Sequence, residues 1–227
     1  DPMTRLNPVM SIGKQMILSQ HHKKIPKSEK IKHSLEMLNF VGIPDFESRF
    51  NDLSHKFSGG MRQRIMIAMA IQSNPELLIA DEPTTALDVT TEVQIINLLK
   101  NLKNKIRCSI LFITHNLNLL SDFCDYIIIM YAGIIVEKGT TKNIFSNPQH
   151  PYTKKLFNCD PSQIEKKISK FPYIKGSLPN LINLKNECVF SSRCENPSHE
   201  CKEGIIENKL IEYSKDHWVD QCCINCK

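Results

Sequence analysis

The sequence predicts an α/β fold followed by a small cysteine-rich region, and three observations support this prediction. The short apolar run Leu77–Ala80 is flanked by Pro75 and Pro83, which is typical of a strand buried on both faces in a parallel sheet. A second buried strand, Ser109–Thr114, follows a segment with the apolar periodicity of a helix. Cysteines then cluster from Cys188 onwards, which favours a metal or thiol site.

The length and composition suit one or two globular domains. The 227 residues are 41% hydrophobic and 23% charged, an ordinary composition for a protein with a buried core. The longest apolar run, Tyr126–Val136, is interrupted by Gly133 and is shorter than the roughly 20 residues that a membrane span needs. We find no signal peptide pattern, so we expect any membrane association to go through partner subunits.

The charge distribution argues against a nucleic-acid-binding protein, and the cysteine content argues against a disulfide-rich secreted protein. The net charge of +5 comes from scattered lysines and not from a basic stripe interleaved with aromatic residues. We therefore expect a solvated basic surface and no nucleic acid partner. Nine cysteines without a secretory signal argue against a disulfide framework and favour bound metal or reduced thiols.

Helices dominate the amino-terminal part of the sequence. Residues 9–22 and 28–41 are predicted as two helices joined by Lys23–Pro26, and Gly42 ends the second. A short helical segment near 46–50 follows. Together these elements predict a small helical subdomain, for which a generic helical bundle is the alternative.

The tripeptide Ser58-Gly59-Gly60 opens a further helix, which runs to about Ser73. The amino terminus of a helix carries unpaired N–H groups and a partial positive charge. Glycines let an anion approach that backbone closely, and Ser58 can cap the helix or bind a phosphate oxygen. A plain serine-capped helix is the alternative interpretation.

Two adjacent carboxylates, Asp81 and Glu82, follow the strand at Leu77–Ala80. Open α/β sheets bind ligands at the carboxyl ends of their strands. One carboxylate can hold Mg²⁺, and the other can orient or deprotonate an attacking water. Without the neighbouring motifs, a solvated acidic strand end would be the simpler interpretation.

The elements after these carboxylates alternate between helix and strand. They are predicted as helix, strand, helix, hairpin and helix over residues 89–105, 109–114, 116–124, 126–137 and 140–146. His115 lies at the carboxyl end of the strand 109–114. A lone histidine is more often structural than catalytic, so its role depends on the motifs around it.

Four motifs in this order resemble the ATP-binding subunit of ABC transporters. They are similar to the signature motif, Walker B, the loop after Walker B and the switch histidine: Phe57–Met61, Leu77–Glu82, Thr84–Asp88 and Ile113–Asn116. Met61 stands where most ABC signatures have glutamine, and it matches the usual form in peptide importers. The resemblance implies a partial P-loop NTPase (ABC ATPase) domain with a helical subdomain.

The resemblance also implies a role for each motif in handling ATP and Mg²⁺. Four residues would contact the γ-phosphate of an ATP molecule that a second ATPase subunit holds: Ser58, Gly59, Gly60 and Met61. Asp81 would hold Mg²⁺, Glu82 would polarise the attacking water, and His115 would sense the γ-phosphate. Asp88 would couple the two subunits.

One motif of the family does not occur in this sequence. The segment Asp1–Pro8 resembles the end of the Q-loop, and no G-x-x-x-x-G-K-[ST] phosphate loop is found. We therefore expect an amino-terminally truncated chain that does not hydrolyse ATP alone. The alternative is a non-catalytic remnant, or a metal-cluster binding module, of a split or decayed gene.

The carboxyl-terminal part resembles one branch of the family, the oligopeptide, dipeptide and nickel importers. The element His150-Pro-Tyr-Thr is typical of that branch, and it argues against a soluble ABC ATPase of DNA repair or translation. A similar cysteine-rich appendage occurs there, and the matching residues here are Cys188, Cys194, Cys201 and Cys222. The resemblance implies a [4Fe–4S] cluster, with zinc as the alternative. Cys223 and Cys226 leave the fourth ligand open, and unliganded thiols are the other interpretation.

These interpretations predict three regions and a set of partners. Residues 1–74 form the helical subdomain with the signature, 75–159 the partial RecA-like core, and 160–227 a linker with the cysteine-rich appendage. The implied partners are transmembrane permease subunits, a second ATPase subunit and, indirectly, a substrate-binding protein. The implied location is the cytoplasmic face of the cell membrane, as a peripheral subunit.

Overall fold

The computed structural model describes residues 5–85, 87–105, 108–160, 172–182, 188–203 and 208–223. The chain divides into two compact units, Asp1–His115 and Asn116–Lys227. Among the helices that are described, none combines the length and apolar character that a bilayer crossing needs. The predicted three regions stay a prediction, and most of the predicted linker, 161–170, lies outside the described residues.

Four helices form the first part of unit one: α1 (Ile12–Ser19), α2 (Lys27–Phe40), α3 (Phe46–Arg49) and α4 (Gly59–Ile71). The helix predicted over 9–22 is shorter because Ser11 caps α1, its hydroxyl oxygen accepting from the Lys14 N–H. The apolar side chains of these helices form a buried core: Ile12, Met16, Leu38, Ile65, Ala68 and Ile71.

A two-stranded parallel sheet completes unit one. Strands β1 (Leu77–Asp81) and β2 (Ser109–Ile113) are joined through helix α5 (Val89–Lys105). The register pairs Asp81 with Ile113, so the residues after both strands emerge at one edge of the sheet.

The prediction that Leu77–Ala80 is buried on both faces is wrong for the described structure. Leu78 and Ala80 are buried, whereas Leu77 is 52% exposed and Ile79 is 59% exposed. Successive side chains of a strand point to opposite faces. Residues in the described part of the chain therefore cover only one face of this strand.

Unit two contains a four-stranded antiparallel sheet in the order β3-β4-β6-β5. Its strands are β3 (Tyr126–Tyr131), β4 (Ile134–Thr140), β5 (Leu210–Ser214) and β6 (His217–Asp220). The predicted hairpin forms β3 and β4, and the turn residues Ala132 and Gly133 both adopt positive φ, as tight hairpin turns require. Strands β5 and β6 were not predicted.

The helices of unit two are α6 (Leu117–Phe123), α7 (Thr141–Ser146), α8 (Pro151–Asn158) and α9 (His199–Glu203). One apolar cluster joins residues of the hairpin and α7 to the cysteine-rich region: Ile127, Ile129, Tyr131, Val136, Ile144, Cys188, Val189, Phe190 and Cys201. The cysteine-rich region is therefore packed into the core of this unit, with strand β6 paired to β4.

Candidate functional site

The predicted signature lies at the amino terminus of α4. Ser58 caps this helix, because its hydroxyl oxygen accepts a hydrogen bond from the Met61 N–H at 3.3 Å. The Ser58 side chain is exposed, and Gly59 and Met61 are partly exposed. The helix amino terminus is thus accessible to solvent, and its predicted role in binding an anion stays a prediction.

Gly60 has a packing role that sequence reasoning missed. A Cβ placed on Gly60 would lie 2.3 Å from the Cγ2 methyl of Thr91. Thr91 is itself held by Asp88, whose two carboxylate oxygens accept from the Thr91 N–H at 2.9 Å and the Thr91 hydroxyl at 2.7 Å. These hydrogen bonds hold the pKa of Asp88 below its usual value. The signature therefore packs against the first turn of α5, to which Asp88 of the loop after Walker B is hydrogen-bonded.

Glu82 and His115 meet at the carboxyl edge of the parallel sheet. The Glu82 Oε1 atom lies 2.8 Å from Nδ1 of His115, and Oε2 accepts from the Thr85 hydroxyl at 2.8 Å. The hydrogen bond to His115, followed by that to Thr85, lowers the pKa of Glu82. A carboxylate only accepts hydrogen bonds, so Nδ1 of His115 carries the proton.

The backbone around Glu82 is constrained. Its φ is 47°, in the left-handed region that glutamate rarely adopts. The Glu82 N–H donates to the Ile113 carbonyl at 2.9 Å, which extends the pairing of β1 and β2 by one residue. Unusual backbone conformations of this kind cluster at functional sites.

Asp81, the predicted Mg²⁺ ligand, ends β1 with an exposed side chain. Within the described ranges, no three or more His, Cys, Asp or Glu side chains are grouped so that they could hold a metal ion. The assignment of Asp81 to Mg²⁺ therefore stays a prediction.

Most of the predicted cysteine ligands meet around one small cavity in unit two. Cys188, Cys194 and Cys201 line it together with Cys223. The volume is about 10 Å³, close to the room that one water molecule needs. The side chain of Cys222, the predicted fourth ligand, lies outside the described residues, and Cys223, which the sequence leaves as another candidate, lines the cavity.

The cysteines differ in their surroundings. Cys188 and Cys201 are buried, whereas Cys194 and Cys223 are partly exposed. Burial raises the pKa of the Cys194 thiol, and the neighbouring Cys188 and Cys201 thiols also raise it.

His150 also lines this cavity. It is fully buried at the amino terminus of α8, where its Nδ1 accepts from the Tyr152 N–H at 3.0 Å. Burial, with a smaller effect of Lys154, lowers the pKa of His150 to about 3, so the ring is neutral. Its Nε2 atom finds no hydrogen-bond partner in the part of the chain that the structure describes.

Glu137 is a buried carboxylate that sequence reasoning missed. It accepts from the Gln149 N–H at 2.7 Å and the His150 N–H at 2.9 Å, and its Oε1 lies 2.7 Å from Nε2 of His217. It therefore joins β4, β6 and the start of α8. In the sequence, the only sign that Glu137 is buried is its inward position in a predicted strand.

Comparisons with known proteins agree with this geometry. Residues 3–85 match the ABC transporter family, and residues 136–201 match the oligopeptide/dipeptide transporter C-terminal region. The oligopeptide transport ATP-binding protein OppD of Bacillus subtilis is 48% identical over 221 residues, which cover 96% of this chain and 61% of that protein. The dipeptide transport ATP-binding protein DppD of Lactococcus lactis is 47% identical, over 85% of this chain and 56% of that protein.

The chain thus spans about three-fifths of the length of these relatives. Among solved structures, cbiO1 of Clostridium perfringens, part of an ABC transporter complex, aligns with a TM-score of 0.57 at 27% identity, over 65% of this chain and 57% of that one. A dimeric bacterial ABC transporter cassette aligns with a TM-score of 0.53 at 28% identity, over 60% of this chain and 59% of that one. The predicted α/β class with a partial ATPase domain is confirmed.

Proposed function

Since this chain belongs to the ABC transporter ATPases that carry the oligopeptide/dipeptide C-terminal region, we propose that it is an ATP-binding subunit that powers peptide import. Its partners in this proposal are permease subunits, a second ATPase subunit and, indirectly, a substrate-binding protein. It works as a peripheral subunit on the cytoplasmic face of the membrane. The names of its relatives, which are peptide transport ATP-binding proteins, support this assignment.

The contact between Glu82 and His115 is the observation that carries the proposal. Two residues separated by 33 positions meet at 2.8 Å, beside the end of the strand that bears Asp81. Bound Mg-ATP supplies the γ-phosphoryl group that is transferred to water. The lowered pKa keeps Glu82 ionised at neutral pH, so that it can orient a water molecule and accept its proton.

His115 has a defined task in this arrangement. Its Nδ1–H donates to Glu82, which leaves Nε2 on the exposed side of the ring, since 81% of the side chain is exposed. To donate to a phosphate oxygen from Nε2 as well, the imidazole must be protonated on both nitrogens. In this proposal Asp81 holds Mg²⁺, which the exposure of its carboxylate supports, and the accessible amino terminus of α4 binds a phosphate of ATP held by the second subunit.

A charge-neutral substitution in the assembled transporter tests this function. We expect Glu82→Gln to reduce ATP hydrolysis and peptide uptake at least about 100-fold, because the proton acceptor is lost. Glu76→Gln is the matched control, since Glu76 is an exposed glutamate just before β1. Hydrolysis at the unmodified rate in the Glu82→Gln transporter would show that the proposal is wrong.

The cysteine-lined cavity supports a second, finer proposal: that Cys188, Cys194, Cys201 and Cys223 bind a metal through their thiolates. Convergence of the thiols on one cavity supports it. In the described conformation no three of these side chains are grouped closely enough to hold an ion, so binding of Zn²⁺ or of a [4Fe–4S] cluster would require the sulfurs to rearrange.

Metal analysis of anaerobically purified protein tests the cysteine site. Stoichiometric zinc in colourless protein identifies a zinc site, and iron with absorbance near about 400 nm identifies a cluster. Cys188→Ser should abolish binding of either metal, and comparing Cys222→Ser with Cys223→Ser identifies which of these two cysteines supplies the fourth ligand. Protein that retains neither metal after reconstitution contradicts the proposal.

A further inference from the structure

A larger cavity lies beside helix α8 in unit two. Its volume is about 510 Å³, within the range of about 300–1,000 Å³ that small-molecule sites have. We call this cavity the polar cleft, because six of the side chains that line it carry a charge or an amide group: Gln149, Lys154, Lys155, Asn158, Glu195 and Asn196. Positions 151, 154, 155 and 158 have the spacing of one helix face, so one side of α8 forms a wall of the cleft.

Lys155 is a cation that the protein holds in place at the polar cleft. Only 18% of its side chain is exposed, and Nζ donates to the Arg193 carbonyl at 3.1 Å and lies 3.2 Å from Oε1 of Glu195. The ring centroid of Phe190, 5.9 Å from Nζ, further restricts the ammonium group. An ammonium carries three N–H donors, so these two oxygen acceptors do not exhaust it.

The charges of the polar cleft favour a ligand that carries a carboxylate. Two lysines and one glutamate line the cleft, which therefore has a net positive charge. Lys155 is paired with Glu195, whereas the exposed Lys154 forms no ion pair with any of the residues that the structure describes. A carboxylate that reaches Lys154 would form a charge-assisted hydrogen bond there.

The same cleft also offers groups that suit an ammonium and an amide. The Glu195 side chain is 79% exposed and contacts Lys155 through Oε1, which leaves Oε2 to accept from a ligand. Three amide side chains supply both donors and acceptors: Gln149, Asn158 and Asn196. Carboxylate, ammonium and amide are together the polar groups of a peptide with free ends.

We propose that the polar cleft binds a short peptide with free termini. Lys154 and Lys155 bind its carboxylate, Glu195 binds its ammonium group, and the amide side chains bind its peptide groups. The choice of a peptide among zwitterionic ligands rests on the proposed function, which delivers peptides to the face of the membrane where this subunit works. The cleft belongs to unit two, whereas the residues assigned to ATP belong to unit one.

Isothermal titration calorimetry of the full chain with trialanine, in the absence of ATP, tests this site. Trialanine is a suitable probe because the proposed contacts involve the termini and the peptide groups, and not the side chains. We expect saturable binding of one peptide per chain. The C-terminal amide of trialanine and N-acetyltrialanine should each bind about 10-fold more weakly, because each loses a charge-assisted hydrogen bond.

Variants of the cleft identify which end of the peptide each residue binds. Lys154→Gln should weaken trialanine binding about 10-fold and should not further weaken binding of the C-terminal amide. Glu195→Gln should weaken binding of trialanine and not of N-acetyltrialanine. Lys142→Gln is the matched control, because Lys142 is an exposed lysine of α7 that does not line the cleft. All three side chains are exposed, so the melting temperature should not change.

Three results would overturn the proposal. They are no binding of trialanine at millimolar concentration, an equal loss in Lys142→Gln and Lys154→Gln, and inorganic phosphate that binds as tightly as trialanine, which would indicate a nonspecific anion site. The proposed ATPase function fails separately, in the hydrolysis assay with Glu82→Gln, because none of these titrations contains ATP.

Discussion

The carboxyl edge of the parallel sheet in unit one and the cysteine cavity of unit two are built in opposite ways. At the edge, the side chains of Glu82 and His115 are exposed. They hydrogen-bond to each other, and Glu82 also accepts from the Thr85 hydroxyl. In the cavity, Cys201 and His150 are buried, and they are held by the apolar core and by Glu137.

Because of this difference, we expect substitutions at the exposed edge to affect function more than folding, and substitutions in the cavity to lower stability. An exposed site can receive a ligand from a partner, and its residues can change with little effect on folding. A buried site is part of the core that folds the unit, so changes there lower the free energy of unfolding. Under the proposed function, the exposed region receives a nucleotide that binds and dissociates, whereas the buried region serves mainly as part of the folded core.

The largest effect should come from Phe190→Ala. Phe190 is fully buried, and its ring packs against those of Tyr131 and Tyr152 at centroid distances of 5.1 Å and 5.5 Å. We expect the free energy of unfolding to fall by about 3–5 kcal/mol, measured by urea denaturation. Tyr173→Ala is the control, because that side chain is 71% exposed and should change stability little. Equal effects of the two variants would mean that the cysteine region is not part of the core.

Glu137→Gln should have the next largest effect on stability. The carboxylate accepts hydrogen bonds from two backbone N–H groups and contacts His217, whereas an amide supplies one acceptor in place of two. We expect a loss of about 2–3 kcal/mol in the same denaturation assay.

The control for Glu137 is Glu195→Gln. Glu195 forms a salt bridge to Lys155 with a side chain that is 79% exposed, and such pairs contribute at most about 1 kcal/mol. If both substitutions change stability equally, the buried carboxylate does not hold α8 to the sheet as we describe.

Gly60→Ala tests whether unit one also contains a tight contact, between Gly60 of the signature and Thr91 of α5. The new Cβ would lie 2.3 Å from Cγ2 of Thr91, so that one of them must move, at a cost of about 1–3 kcal/mol. Thr91→Ser removes that methyl group and keeps the hydroxyl that donates to Asp88. The double variant should therefore recover most of the lost stability in thermal unfolding. Additive losses would show that the two residues are not in contact.

Sequence reasoning located the exposed edge better than the buried cavity. Short-range patterns place β1, β2 and the residues after them, because apolar periodicity and motif spacing are local signals. The pairing of Leu210–Ser214 and His217–Asp220 with the hairpin depends on contacts between distant residues, so it was missed. The choice among Cys222, Cys223 and Cys226 is of the same kind, because one residue of register decides which side chain reaches a cavity, and Cys223 lines this one.

The smallest effect concerns pH and the Glu82–His115 contact. The folded pKa of Glu82 is lowered, so its contribution to stability is present above the ordinary glutamate value of about 4.3 and is lost as the pH falls through the folded value. Because Glu82 and His115 are both substantially exposed, the contribution should be below about 1 kcal/mol. Unfolding measured at pH values on both sides of this range should show the loss in the unmodified chain and not in Glu82→Gln. A much larger loss would mean that the edge is held as tightly as the cavity, and the contrast between the two regions would not stand.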